Sequence, residues 1–188
     1  VLGDCMMTPA LKGCHMALYD IDPERLADSF GMLNNINRNL GSPATITSHM
    51  DRREALSSAD FVINAIQVGG YDPCTVTDFE IPKKYGLRQT IGDTLGIGGI
   101  FRALRTIPVM VGSAKDMEHY CPNATMLNYT NPMPMRCRAM QRETKIQLTG
   151  LCHSVQGTAM MLAKWIGAPY EEITYPCAGI NHMAWYIK

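Results

Sequence analysis

The chain has 188 residues, 46% of them hydrophobic and 18% charged, and its 17 basic side chains balance its 17 acidic ones. This is the composition of a globular protein with a sizeable core, and it excludes a disordered chain. Balanced charge argues against nucleic acid or an anionic membrane as the main partner. No apolar run reaches the roughly 18 to 20 residues a bilayer requires, and no leader-like segment opens the chain, so a cytoplasmic protein is expected.

The predicted elements alternate. "CHMALYD" (14–20) is a short apolar run ending in an acid. Residues 22–41 carry Leu26, Phe30 and Leu33 at helical spacing and stop at a glycine. "ATITSHM" alternates like a strand, "DRREALSSA" supplies a short helix, and "DFVINAIQVGG" (60–70) is the continuous apolar run of a strand buried on both faces. A long helix follows in "GGIFRALRTIPVMVGSAKDMEHYCP", which Pro108 is expected to kink or interrupt. Then come a strand in "ATMLNYTNP", a helix over Met135 to Arg142 and a strand in "IQLTGLCHS". A helix with Val155, Ala159, Leu162 and Ile166 on one face and an extended piece, "ITYPCAGINH", close the chain. Strand and helix in turn through about 150 residues predict an α/β fold, a doubly wound sheet with helices on both faces. Seven cysteines, an odd number with no C-x-x-C pair, read as reduced thiols, and with 14 methionines they serve mostly as core filler.

In a doubly wound sheet the ligand lies beyond the carboxyl ends of the strands. Those ends are Asp20, "QVGG" (67–70), "NYTNP" (128–132), and Cys152 with His153, and they are expected to converge on one crevice. An acid at the position of Asp20 hydrogen-bonds the adenine ribose of a dinucleotide, about 20 or more residues after a glycine-rich phosphate turn. Counting back places that turn at or before Val1, so the first strand and phosphate loop are expected to be missing. The competing role for an acid here is to cap the next helix, which Asp22 before Pro23 fits better. Cys152 and His182 are a thiol and an imidazole of the kind that suits a borderline divalent ion with open positions. On spacing alone they also read as a buried thiol and an unrelated histidine.

Several segments together resemble glycoside hydrolase family 4, the NAD- and manganese-dependent glycosidases. They are "MALYDIDPERL", "GGYDPCTVTDFEIPKKYGLRQTIGDTLGIGGIFRALRTIPV", "MLNYTNPM", "GLCHSVQGT" and "AGINHMAWY". The resemblance covers essentially the whole chain and implies a Rossmann-like domain of the lactate and malate dehydrogenase type. It implies an NAD-binding domain over 1–150, incomplete at its start, and the beginning of a second, α+β catalytic domain over 151–188.

The strand ends put the expected NAD contacts at Asp20, Gln67, Val68 and Gly69. Position by position, the resemblance implies sugar hydroxyls held by Asn131 and Mn2+ held by Cys152 and His182. It implies catalytic roles for Asp93, which sharpens the base, and for His153, which stands where the phosphoglycosidase branch has an acidic proton donor. The base itself is expected beyond Lys188. The implied reaction is hydrolysis of an α-galactoside such as melibiose: NAD+ takes hydride from sugar carbon 3, the carbon 2 proton leaves, the glycosidic oxygen is eliminated, water adds, and the hydride returns. This family is an exception to the paired-carboxylate rule of glycosidases. The resemblance also leaves room for α-glucosidase or α-galacturonidase activity, and it implies a homodimer or homotetramer. Two readings outside the family are a 2-hydroxy-acid dehydrogenase, which would need an arginine for the substrate carboxylate, and a noncatalytic nucleotide-binding module.

Overall fold

The computed structural model describes residues 1–187, which divide into two compact units at the boundary between Ala59 and Asp60. The first unit contains α1 (Leu2–Met7), β1 (His15–Tyr19), α2 (Pro23–Asn39), β2 (Thr45–His49) and α3 (Arg52–Leu56). β1 and β2 pair in parallel, His15 opposite Thr45 through Tyr19 opposite His49. Parallel neighbours need a crossover, and α2 supplies it. Its start is set by Asp22, whose carboxylate accepts from the amides of Glu24 and Arg25 while Pro23 occupies the first turn. Its apolar stripe packs Leu33 against Met6 and Met16, with Leu18, Ile36 and Ile46 around them.

The second unit begins with β3 (Phe61–Asn64) and an irregular helical turn (Gly70–Thr75), followed by α4 (Val76–Lys83), α5 (Gly96–Tyr120) and β4 (Thr125–Asn128). After these come α6 (Met133–Glu143), β5 (Gln147–Gly150), α7 (Ser154–Ile166) and a hairpin of β6 (Cys177–Ile180) and β7 (Met183–Tyr186). The sheet runs β3-β4-β5, all parallel, with Asn64, Asn128 and Gly150 in register at its carboxyl edge. Its core is rich in thioethers: Met110, Met117, Met126 and Met140 are buried, and so are the thiols of Cys121 and Cys137. Burial pushes both thiols above their ordinary pKa, as expected of core filler.

Four sequence expectations change. The strand expected over 60–70 and buried on both faces is confined to β3 (Phe61–Asn64), and Phe61 is exposed because β3 stands at the edge of its three-stranded sheet. Pro108 does not interrupt α5, which runs unbroken for 25 residues. Pro108 is exposed, so the carbonyl of Leu104 left without an amide partner lies on the solvent side, where water can satisfy it. The expected apolar face of α7 is buried only in part: Ala159 and Ala163 lie inside, whereas Val155 and Ile166 are exposed. The final extended piece is a hairpin, which "GINHM" did not announce because its turn residues are Asn181 and His182 and not the usual Asn-Gly pair.

Candidate functional site

The carboxyl edge of β3-β4-β5 is shaped by a buried polar network. Asn64 Nδ2 donates to Asn128 Oδ1 at 2.8 Å and to Thr130 Oγ1 at 3.2 Å, and Asn128 Oδ1 also accepts from the Thr130 amide and hydroxyl. Asn128 and Thr130 are buried, so each unmade bond would carry its full desolvation cost. The network therefore fixes the turn that presents the next residue. That residue is Asn131, half-buried, whose side-chain amide makes no hydrogen bond among the described residues. Both its donors and its acceptor are free for a ligand.

β5 ends beside this turn, with the Leu151 amide donating to the Asn128 carbonyl. The next residue, Cys152, lies ahead of α7. Burial raises the Cys152 thiol, but contacts from the Ser154 hydroxyl and amide, then from Asn181 and the His153 amide, outweigh it and leave the thiol below its ordinary pKa. Amides at a helix start favour a thiolate for the same reason they favour any anion.

His182 arrives from the hairpin. Ile180 pairs with Met183, so Asn181 and His182 form a two-residue turn, and His182 sits at φ +61. That left-handed conformation is one most side chains avoid, although His is enriched among those that adopt it. It turns the ring so that Nε2 lies 3.6 Å from Cys152 Sγ while Nδ1 lies 3.1 Å from Thr94 Oγ1. Strain at a residue that meets a thiol is a mark of a functional position. The structure thus brings together Cys152 and His182, which are thirty residues apart.

The donor pair fits a shared cation. A separation of 3.6 Å lets one divalent ion reach both donors, being shorter than the sum of bond lengths of roughly 2.3 Å to sulfur and roughly 2.1 Å to nitrogen. A second observation agrees: Asn181 Oδ1, in the same turn, is buried with no hydrogen-bond partner. No cluster of three or more His, Cys, Asp or Glu side chains able to hold a metal exists among the described residues. A cation here would keep positions open for oxygens from elsewhere.

The remaining expected residues are placed as follows. His153 is the exposed residue just before α7, with its side chain unbonded among the described residues. Asp93 is half-buried in the turn before α5, and its charge is felt by Arg136 on α6. Gln67 donates to Thr75 Oγ1 at 3.0 Å, the Val68 carbonyl accepts from Arg105 Nε at 3.2 Å, and Gly69 sits at φ +85. A side chain on Gly69 would collide with Cys74, so this loop depends on glycine. In the first unit, Asp20 accepts from Arg25 through both carboxylate oxygens, at 2.7 and 3.3 Å, and from the Asp22 amide at 2.9 Å. The Arg25 contact holds its pKa below the ordinary carboxylate value. Asp22 is the helix cap, which leaves Asp20 free of that duty.

Sequence reasoning missed Thr94 and Asn181. Neither belongs to a pattern: a threonine beside an acid and an asparagine beside a histidine acquire meaning only when the hairpin folds over the turn before α5.

Parallel strands crossed by helices, with polar and metal-type side chains gathered at their carboxyl ends, are the plan of a doubly wound, Rossmann-type enzyme. The family model described as family 4 glycosyl hydrolase matches residues 1–168, and the chain belongs to that family. It is 58% identical over its whole length to an α-galactosidase of Bacillus subtilis, and it covers 44% of that protein. It is 39% identical to an α-galacturonidase of Thermoanaerobacter italicus, covering all of this chain and 42% of the relative. Among solved structures, a candidate glucosidase of B. subtilis superposes with a TM-score of 0.88 at 31% identity, over 98% of this chain and 43% of the other. A 6-phospho-α-glucosidase from gut microorganisms, solved with NAD and Mn2+, gives 0.86 at 24% identity over 97% and 41%. A malate dehydrogenase of Plasmodium falciparum gives 0.66 at 12% identity over 95% and 48%, which extends the shared fold to the dehydrogenases. The chain spans less than half the length of these relatives.

Proposed function

We propose that this chain is part of a cytoplasmic, NAD- and Mn2+-dependent α-galactosidase, acting on a sugar such as melibiose and assembled as a homodimer or homotetramer. Residues 1–150 would bind the dinucleotide and residues 151–188 would begin the catalytic part. The observation that carries the reading is the 3.6 Å approach of Cys152 Sγ and His182 Nε2 at the carboxyl edge of a parallel sheet, beside the unbonded Asn131. Identity of 58% to an α-galactosidase, against 39% to an α-galacturonidase, favours the galactoside within the family.

NAD would supply a hydride acceptor for sugar carbon 3, and the cation would supply Lewis acidity at the oxygens on carbons 2 and 3. The chain's own residues do the holding. Cys152, kept low in pKa, and His182 would ligate the cation from one side. Asn131, braced by the Asn64–Asn128–Thr130 network, would fix a sugar hydroxyl and so orient carbon 3 toward the nicotinamide. Asp20 would take the adenine ribose in exchange for part of its contact with Arg25, and Gln67, Val68 and Gly69 would line the dinucleotide. His153, exposed and unbonded beside Cys152, would pass a proton to the leaving group, and Asp93 would act on the base through its field.

The test is hydrolysis in heavy water by the full-length protein with NAD+ and Mn2+. Proton loss from carbon 2 and its return from solvent would put deuterium on carbon 2 of the released galactose, which a direct displacement at carbon 1 never does. Product without deuterium there, formed without NAD+ or metal, would overturn the reading. A hydroxy-acid dehydrogenase is disfavoured by Arg105: its guanidinium is spent on the buried Asp78 and on the Val68 carbonyl, leaving it unavailable to a substrate carboxylate.

A further inference from the structure

Thr94 has no part in the roles above, yet it is 1% exposed and its hydroxyl is 3.1 Å from His182 Nδ1. A neutral imidazole has one protonated nitrogen and one lone pair, and which is which depends on the partner each nitrogen finds. For His182 to give a lone pair to a cation it shares with Cys152, the lone pair must be on Nε2, so the proton must be on Nδ1. The Thr94 oxygen stands where an acceptor for that proton is needed. Ligand histidines in general depend on such an outer partner to fix tautomer and ring orientation.

The backbone around Thr94 is built to hold it in place. Its amide donates to the Ile91 carbonyl at 3.0 Å, across a turn that puts Ile91 at φ +52, unusual for a β-branched residue. The first turn of α5 then lies directly on this segment. A Cβ on Gly99 would fall 2.7 Å from the Thr94 carbonyl, and one on Gly98 would fall 2.5 Å from the Gly92 carbonyl. Only glycines permit that approach. Gln89 locks the same turn by accepting from the Gly98 amide at 2.9 Å.

We propose that Thr94 is the positioning residue for His182: its hydroxyl accepts the Nδ1 proton and aims Nε2 at Cys152, and Gly98 and Gly99 bring it within reach. The inference rests on the metal role proposed for Cys152 and His182. It joins "GDTLGIGG", which leads into the first turn of α5, to the "NH" turn of the hairpin as one device, although 88 residues separate Thr94 from His182.

The test is Mn2+ binding to the full-length protein, followed by the electron paramagnetic resonance of the free ion, alongside thermal unfolding. Thr94→Val, nearly isosteric but unable to accept the proton, should weaken Mn2+ binding by roughly 10- to 100-fold. Thr94→Ser should restore it to within about threefold of wild type, because the hydroxyl is the part that acts. A purely structural role would move the unfolding temperature and leave serine and valine alike. Wild-type affinity in Thr94→Val overturns the positioning role alone. Failure of the wild-type protein to bind Mn2+, or undiminished binding by Cys152→Ser, overturns the metal reading and this inference with it. Should Thr94→Val not fold, the Cd2+-loaded wild-type protein decides through its imidazole 15N spectrum. His182 should carry a slowly exchanging proton on Nδ1, and a rapidly exchanging one would refute the bond.

Discussion

At the scale of single residues, the seven cysteines separate by environment. Cys152 lies against helix-start amides and an imidazole, whereas Cys121 and Cys137 are buried among apolar groups that push their thiols up. Cys152→Ser or His182→Ala should therefore weaken Mn2+ binding by at least about tenfold, while Cys121→Ser and Cys137→Ser should leave it within error. Equal losses in all four, read by the same titration, would return Cys152 to the core. A second residue carries an energetic cost. Arg136 is 1% exposed, gives one bond to Thr106 Oγ1 at 3.1 Å, and leaves Nε and Nη1 unpartnered. Burial, with the like charges of Arg102 and Arg105, pushes its pKa well below the ordinary arginine value, down to about 10, and Asp93 offsets this only in part. The folded state thus gives up the proton at lower pH than the unfolded state. The penalty is full below about pH 10 and disappears as pH rises toward the unfolded value. At neutral pH the shift corresponds to about 3 kcal/mol, less about 1 kcal/mol for the bond to Thr106. Arg136→Met should raise stability by about 2 kcal/mol in urea unfolding, and Arg136→Lys should not; a loss with Met would mean that Arg136 has a partner elsewhere in the protein.

At the scale of elements, α5 combines two kinds of glycine. Gly98 and Gly99 lie against backbone, but a Cβ on Gly112 would meet nothing within 4 Å. Gly112→Ala should therefore stabilise by about 0.5 to 1 kcal/mol through helix propensity, and Gly99→Ala should destabilise, because its neighbour is main chain that has little room to yield. Opposite signs in paired thermal melts would verify the distinction, and equal signs would refute it. The same helix shows what was legible in the sequence. Hydrophobic period and caps located β1, α2, β2, α3, β4 and β5 because each is a local pattern bounded by its own turn residues. Pro108 misled because its effect depends on which side of the helix meets water, a tertiary fact. The hairpin was read as one extended piece because His182 takes a left-handed conformation that its side chain does not advertise. Asn131 and Cys152 stood at expected strand ends, but the sugar role of Asn131 and the pairing of Cys152 with His182 came from the resemblance to the family and not from spacing. Thr94 was not legible, since its role comes from a contact made across the fold.

At the scale of the whole molecule, the second unit exposes a concentration of apolar surface. Trp165 and Ile166 on α7 are each 69% exposed, and Trp185 on β7 and Ile187 beyond it are 61% and 64% exposed. Scattered apolar residues on a surface are ordinary, but two tryptophans with Met160, Met161, Ile180 and Met183 on α7 and the neighbouring hairpin are more than scatter. No helix among the described residues is long and apolar enough to cross a membrane, so that surface does not mark a helical span there. The chain also covers only 44% of the α-galactosidase it matches at 58% identity, and a structural relative matches it over a similar share. These facts combine into a prediction about the 188-residue chain expressed alone. It should bind an apolar dye such as anilinonaphthalene sulfonate with a strong fluorescence rise, and it should release no galactose from an α-galactoside, with or without NAD+ and Mn2+. It should still bind Mn2+, more weakly than the longer protein, because Cys152, His182 and Thr94 all lie within it. Galactose release by the 188-residue chain alone would overturn the expectation that the base lies beyond Lys188. A dye signal equal to that of the longer protein would mean that α7 and the hairpin remain exposed there and are not the seam on which the rest of the enzyme is built.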